Sequence, residues 1–191
     1  MTPRREVAGR EPRIRTAFTR LRLYRLTGRP LSAECYASAN VVQPLIRDYR
    51  RQDFEALWQI DQACFARGIS YSRRELAFYI ARKLGFTLVA ELEGRILGFV
   101  VVDRDRQGQA HVITIDVLTE ARRSGLGSRL MTAVEERLRA LGCSVVFLET
   151  AVDNAAALAF YKRHGYNVVQ TIPRYYLDTI DALVLAKDLP A

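Results

Sequence analysis

The spacing of apolar residues from residue 45 onward predicts helices that alternate with strands. Apolar side chains recur at helical spacing over residues 53–64, 72 to about 84, 127–141 and 154–164. Short β-type runs lie at 45–49, 86–91, 96–103, 110–117, 145–150, 166–171 and 182–187. This order predicts an α/β protein with a central mixed sheet flanked by helices on both faces.

Two local signals support these boundaries. Ser72 is followed three residues later by Glu75, which is the pairing of a helix capping box. Gly94 separates two β-type runs and can adopt the positive φ that a tight hairpin requires. The sequence therefore predicts a helix that starts at Ser72 and an antiparallel strand pair around Gly94.

Residues 1–44 differ from the rest of the chain in charge. We predict a basic leader there, followed by one domain over residues 45–191. Residues 1–40 hold nine Arg and three Glu, so they carry +6 of the net charge of +8, and the other 151 residues carry +2. Because the basicity belongs to the leader, nucleic-acid binding by the whole protein is disfavoured.

Several interpretations of the leader stay open. Ile14, Phe18 and Leu21 fall at helical spacing between arginines, a pattern that suits contact with RNA, an anionic membrane or an acidic surface. An Arg-rich segment with few acids is also typical of an organelle transit peptide in a eukaryote. We favour the simpler interpretations, which are a mobile extension or a start codon placed too early.

Composition excludes several classes of protein. Hydrophobic residues make up 49% of the 191 residues, which excludes global disorder. No apolar run approaches the roughly 18 residues of a membrane span, and the N-terminus lacks the apolar core of a secretory signal. Three scattered cysteines and two histidines argue against a metal site and fit a reducing compartment. We therefore expect a cytoplasmic protein without a metal cofactor.

A basic, Gly-bearing turn between a β-type run and a helix is the most informative segment. Gly125 and Gly127 lack Cβ atoms and permit close approach of a ligand to the backbone. The first amides of the next helix lack intrahelical partners, so with the helix dipole they suit a pyrophosphate. Arg122 and Arg123 add positive charge. The spacing matches neither the dinucleotide fingerprint nor the P-loop, so a structural turn stays an alternative.

Arg122-x-x-Gly125-x-Gly127 resembles the acyl-CoA signature of the GNAT acetyltransferases. Residues 148–166 are similar to the Leu-Glu…Asn…Tyr…Gly segment of RimI-like enzymes, which acetylate protein N-termini, notably that of a ribosomal protein. Residues 46–47, 60–65 and 175–182 also resemble those enzymes, so the likeness covers about residues 45–189. It implies the GNAT fold, acetyl-CoA as cosubstrate and a protein or peptide N-terminus as acceptor, with a ribosomal protein among the candidates.

The resemblance also implies roles for individual residues. Glu149 is expected to be the general base, directly or through water, and Tyr161 to protonate the CoA sulfur. Asn154 is expected to contact the cofactor arm and to cap its helix. The residues expected to bind the pyrophosphate and pantetheine, largely through backbone amides, are Asp116, Val117, Arg122, Arg123, Ser124, Gly125, Leu126, Gly127 and Ser128.

The acceptor is the part of the site that the sequence defines least. Tyr71, Tyr175 and Tyr176 lie in loops that flank the peptide entrance in RimI-like enzymes, which makes them the candidate substrate-binding residues. The chain departs from the RimI-like pattern at Thr150-Ala151, Ala66 and Ile180, all where that family meets substrate or shapes its groove. A GNAT enzyme for a small amine and a non-catalytic acyl-CoA-binding module that docks through its leader are the alternatives.

Overall fold

The computed structural model describes residues 42–65 and 69–190. All but the last three residues of the predicted leader, 1–44, lie outside this part of the chain. The described residues form seven strands and four α-helices. The strands are β1 (Leu45–Asp48), β2 (Phe86–Leu92), β3 (Arg95–Arg104), β4 (Gln109–Val117), β5 (Val145–Ala151), β6 (Asn167–Tyr176) and β7 (Ile180–Asp188). The helices are α1 (Phe54–Cys64), α2 (Arg73–Ile80), α3 (Leu126–Ala140) and α4 (Ala155–Arg163).

The strands form one sheet in the order β1-β2-β3-β4-β5-β7-β6. All neighbouring strands are antiparallel except β4 and β5, which are parallel. Glu93 and Gly94 both have positive φ, at 50° and 79°, and they close the β2–β3 hairpin as predicted. The sheet is therefore mixed, as the alternating pattern indicated.

Two apolar clusters lie on opposite faces of the sheet. One contains Leu130, Met131 and Val134 of α3 together with Val146 and Leu148 of β5. The other packs the apolar sides of α1 and α2 on β2 and β3, through Leu57, Leu76, Val89, Phe99 and Val101. Helices flank both faces, which is the arrangement predicted for this chain.

The end of α2 and the extent of β6 differ from the predictions. The Ser72–Glu75 capping box is present, but α2 ends at Ile80 and not near residue 84. The chain turns there because Gly85 lies against β3, where an added Cβ would be 2.5 Å from the Val102 carbonyl oxygen. Strand β6 continues to Tyr176 and not to residue 171, and it tolerates Pro173 because it is an edge strand.

Candidate active site

The parallel pair β4–β5 creates an opening in the sheet. Residues 109–111 of β4 pair with residues 145–147 of β5, and the register between the two strands ends there. Both strands continue, to Val117 and Ala151, so their carboxyl-terminal halves diverge. Functional groups of α/β proteins commonly lie at this end of parallel strands.

Glu149 lies at the start of this opening and contacts a histidine. Its Oε2 is 2.6 Å from Nε2 of His111 on β4. The His111 ring also stacks on Phe147, with centroids 4.5 Å apart and an interplanar angle of 13°. Both side chains of the pair are partly exposed, which leaves them accessible to a substrate. The pair is a carboxylate–imidazole dyad, and both side chains are of the types that act as general bases in enzymes.

His111 was absent from the residues predicted for the site. One signal for it existed, because His111 is a polar residue that interrupts the apolar run of β4 near its start. Recognising the pairing with Glu149 requires knowing that β4 and β5 are neighbours and that their register places residues 111 and 147 side by side. That information is tertiary and is not contained in the local pattern.

Strand register decides which predicted amide faces the opening. The Leu118 N–H donates to the Leu97 carbonyl of β3 at 2.9 Å. Successive residues of a strand direct their amides to opposite edges, so Asp116 directs its amide to β3 and Val117 directs its own toward β5. Of the two amides expected to bind pantetheine, the geometry favours Val117. The Asp116 side chain is buried and accepts a hydrogen bond of 2.9 Å from Thr114 Oγ1.

Arg122 fastens the Gly-bearing turn to the end of β4. Its Nε donates to the Val117 carbonyl at 2.9 Å, and the Cys64 thiol donates to the same oxygen at 3.4 Å. In the same turn, the Ser124 hydroxyl donates to the Ala121 carbonyl at 2.7 Å. These bonds hold the turn directly beside the opening, so the first residue of the signature has a positioning role here.

The turn then delivers three amides at the start of α3. Arg123 and Gly125 both take positive φ, at 63° and 84°. The first intrahelical bond runs from the Arg129 N–H to the Gly125 carbonyl. The amides of Leu126, Gly127 and Ser128 precede that bond and have no intrahelical acceptor. Together with the positive end of the helix dipole, they form an arrangement that suits a pyrophosphate.

Helix α4 places the predicted acid on the opposite face from the dyad. Tyr161 is 8% exposed and belongs to the apolar cluster that contains Val146 and Leu148 of β5. Glu149 follows Leu148 directly, so it points to the other face of the strand. Asn154 Oδ1 accepts a hydrogen bond from the Ala157 amide at 3.1 Å and caps α4. Base and acid candidates therefore lie on opposite faces of the sheet.

The three candidate substrate-binding tyrosines lie in different settings. Tyr71 is 4% exposed; its hydroxyl donates to the Ile113 carbonyl at 3.3 Å and its amide to Asp61 Oδ2 at 2.7 Å. Tyr176 is also buried, in a cluster with Ala151 of β5. Tyr175 is only half-buried, and its ring lies 5.0 Å from that of Tyr176. Among the three, Tyr175 is the most available for direct contact with a substrate.

The two cysteines of the described residues are poor nucleophiles. Burial, and then the nearby Asp116 carboxylate, raise the pKa of the Cys64 thiol, and burial also raises that of Cys143. Both thiols are therefore protonated at neutral pH and poor nucleophiles. Over residues 42–65 and 69–190, no cluster of three or more histidine, cysteine or acidic side chains could hold a metal ion. No helix in those ranges is both long and apolar enough to cross a bilayer.

Comparison with known families agrees with this geometry. The sequence profile of the Acetyltransferase (GNAT) family matches residues 48–166, which cover the opening, the Gly-bearing turn and α4. The chain belongs to this family. It has the GNAT fold, and it is an N-acetyltransferase of the class that uses acetyl-CoA as donor.

Individual proteins similar to this chain come from several organisms. An uncharacterized N-acetyltransferase of Methanocaldococcus jannaschii is 29% identical over 147 residues, which cover 76% of this chain and 92% of that protein. An N-alpha-acetyltransferase of Sulfurisphaera tokodaii is 27% identical, over 75% of this chain and 92% of that protein. The crystal structure of a ribosomal-protein-alanine N-acetyltransferase from Escherichia coli superposes with a TM-score of 0.71 at 23% identity, over 78% of this chain and 95% of that one.

Proposed function

We propose that this protein transfers the acetyl group of acetyl-CoA to the α-amino group of a protein N-terminus, in the manner of RimI-like enzymes. The observation that carries the proposal is that the His111–Glu149 dyad lies at the opening on one face of the sheet, while Tyr161 lies on the opposite face of the sheet. A thioester in that opening would have a base on one side and an acid on the other. Neither group is needed by a protein that only binds acyl-CoA.

The residues around the opening fit acetyl-CoA. The amides of Leu126, Gly127 and Ser128 would hold the pyrophosphate, and Gly125 has no heavy atom within 4 Å of the place where a Cβ would lie. The Val117 amide would bind the pantetheine arm, and Asn154, the residue that caps α4, would be a second contact for it. The bound thioester supplies the activated acetyl group, and the protein supplies orientation and proton transfer.

The protein's own residues then have distinct tasks. The His111–Glu149 dyad takes the proton that the acceptor ammonium must lose before the neutral amine attacks the thioester carbonyl, and it does so on the face of Phe147 and Ala151. Tyr161, on the face of α3 and α4, supplies the proton that the departing thiolate needs. Because the two proton transfers occur on opposite faces, the donor and acceptor reach the opening without competing for space.

Acceptor chemistry supports an N-terminus. An α-amine has a pKa of about 8 and a lysine amine one of about 10.4, so roughly a hundredfold more of the α-amine is neutral at pH 7. A weakly basic dyad is therefore sufficient for an N-terminal acceptor. The similarity to an N-alpha-acetyltransferase points in the same direction. A ribosomal protein is one candidate acceptor, since the E. coli enzyme with the same fold is named for such a substrate.

The remaining parts of the proposal concern the chain as a whole. We infer that residues 45–191 form the catalytic domain and that the enzyme works in the cytoplasm, as the sparse cysteines indicate. The basic leader would be an extension that takes no part in acetyl transfer, although it could contact RNA or an acidic surface. Deleting residues 1–44 should therefore leave acetyl transfer to a short peptide unchanged.

The test is thiol release from acetyl-CoA against short peptides that differ at residue one, alongside a set of small amines. We expect turnover on peptides with a free α-amine and none on the same peptides blocked at the N-terminus. Turnover on small amines alone would overturn the N-terminal acceptor and favour the small-amine alternative. Binding of acetyl-CoA without turnover on any amine would favour the non-catalytic module.

Tyr161→Phe tests the acid in the same assay. Loss of a general acid lowers the rate by roughly 10²- to 10⁴-fold, so kcat should fall by at least about 10²-fold. Tyr166→Phe is the matched control, because Tyr166 is also buried and its ring lies 5.8 Å from that of Tyr161. Equal losses in the two variants would show that the effect is one of packing and not of proton transfer.

A further inference from the structure

The last turn of α4 contacts the first turn of α3 through two side chains. Phe160 lies against Gly127, where an added Cβ would be 3.5 Å from the Phe160 ring. His164, which ends α4, has its Nε2 3.0 Å from the Ser128 hydroxyl oxygen. The His164 ring also packs on Phe160, with centroids 4.7 Å apart. The helix that carries Tyr161 is therefore joined directly to the residues that begin α3.

Ser128 occupies a particular position in that first turn. It is the third residue of α3, and its amide is the last of the three that precede the first intrahelical bond. Its hydroxyl is attached to the same residue and can supply one further hydrogen bond to an anion held by those amides. The partner that fixes this hydroxyl is His164, a residue that the acyl-CoA signature does not include.

The surroundings of His164 keep its imidazole neutral. Partial burial lowers the pKa of His164; Lys187 and Arg163 lower it further, while Glu135 of α3 opposes them. A neutral imidazole has one N–H, so it either donates from Nε2 to the Ser128 oxygen or accepts the Ser128 proton there. Only the first arrangement leaves the Ser128 O–H free to donate to an anion. An anion at the start of α3 favours that arrangement.

We propose that His164 is a positioning residue for the pyrophosphate of the acetyl donor. Its Nε2–H donates a hydrogen bond to the Ser128 hydroxyl oxygen, and this bond directs the Ser128 hydroxyl proton toward the phosphate oxygens. The inference rests on the proposed acetyl-CoA site but not on the identity of the acceptor. His164 touches neither substrate in this arrangement and acts through Ser128. It also ties the pyrophosphate site to the helix that carries Tyr161.

The experiment measures the Kd of CoA by titration calorimetry for the full-length protein and four variants. His164→Phe keeps a ring against Phe160 and removes the hydrogen bond. His164→Gln removes the ring but keeps an amide N–H in reach of Ser128. Ser128→Ala and the double variant His164→Phe/Ser128→Ala complete a thermodynamic cycle. Thermal unfolding of each variant confirms that it is folded.

We expect His164→Phe to weaken CoA binding about threefold to tenfold, which is the contribution of one hydrogen bond. His164→Gln should restore most of the affinity, and the double variant should bind no more weakly than Ser128→Ala alone. Transfer from S-acetylpantetheine, which has no pyrophosphate, should have the same kcat/KM in His164→Phe and the natural protein.

Three results would overturn the inference. The first is a CoA affinity in His164→Phe equal to that of the unsubstituted protein. The second is a double variant whose loss of CoA affinity is the product of the two single losses. The third is a decrease of kcat/KM with S-acetylpantetheine in His164→Phe as large as its loss of CoA affinity. A protein that binds CoA but acetylates no peptide would contradict only the proposed acceptor, because the CoA affinities are measured without one. The two proposals can therefore fail separately.

Discussion

Replacement of Glu149 by Gln tests the dyad with the smallest possible change in shape. The substitution removes the charge from a carboxylate whose Oε2 lies 2.6 Å from His111 Nε2. A hydrogen bond between a charged group and its partner contributes about 1.5–3 kcal/mol, and 1.4 kcal/mol corresponds to a factor of ten in rate. Loss of that interaction alone predicts roughly a tenfold to hundredfold decrease, and loss of the base extends the range to about 10⁴-fold.

The dyad also predicts how two substitutions combine. His111→Gln and Glu149→Gln each disable the same proton acceptor, so the double variant should be no slower than the slower single variant. Each single variant should lower kcat for the peptide. The KM for acetyl-CoA should stay within about twofold of its value in the unsubstituted protein, because neither residue lies on the face of α3 and α4. Phe147→Leu is the control for the stacking contact, since it removes the aromatic ring and leaves the hydrogen bond.

The assay is steady-state acetyl transfer to the best peptide from the substrate panel, at saturating acetyl-CoA. Retention of kcat within twofold in Glu149→Gln would refute the assignment of the base. Losses that multiply in the double variant would show that His111 and Glu149 act independently. An equal effect of Phe147→Leu would mean that the strand surface, and not the dyad, determines the rate.

Two further predictions concern the Gly-bearing turn and the stability of the sheet. Gly125→Ala should raise the KM for acetyl-CoA at least about tenfold, because φ at Gly125 is 84° and a side chain is strained there. Gly127→Ala is the control: its added Cβ would make ordinary contacts of 3.5 Å, so KM should change by less than about threefold. Equal effects of the two substitutions would contradict the conformational argument. Asp53→Asn should lower the free energy of unfolding by about 2–4 kcal/mol at pH 7, because the buried Asp53 carboxylate accepts a hydrogen bond of 2.7 Å from Arg47. That hydrogen bond lowers the pKa of Asp53 in the folded protein, so the stabilisation is complete above the ordinary pKa of Asp and is lost as pH falls through the lower folded value. Urea unfolding of both proteins at pH 7 and pH 3 should show the difference shrinking at the lower pH, and a constant difference would exclude the linkage.

The fold was predictable because the local patterns and the tertiary structure agree over most of the domain. Each predicted helix and strand is present, and the capping box at Ser72 begins α2 as expected. The end of α2 was predicted too late, because the local pattern does not reveal that Gly85 packs closely against β3. The extra length of β6 depends on its pairing with β7, which the apolar pattern before Pro173 does not reveal.

The sequence supports hypotheses about the site only where the proposed chemistry depends on consecutive residues or on the family resemblance. The Gly-bearing turn is one continuous segment, and the roles expected of Glu149 and Tyr161 come from the family resemblance. His111 depends on which strands are neighbours, and the choice between Asp116 and Val117 depends on strand register. Strand order and strand register leave no periodic pattern in the local sequence, so pattern analysis alone does not identify these two features.

The opening between β4 and β5 is a fixed feature, because each strand is held on its other side. Strand β5 pairs with β7 over all seven of its residues, whereas its register with β4 covers only three. Strand β4 pairs with β3 up to Val117. Closing the opening would therefore break long antiparallel pairings on both sides. The sheet and its packed helix thus position the dyad and Tyr161, and if these groups transfer protons as we propose, they need no loop movement to assemble.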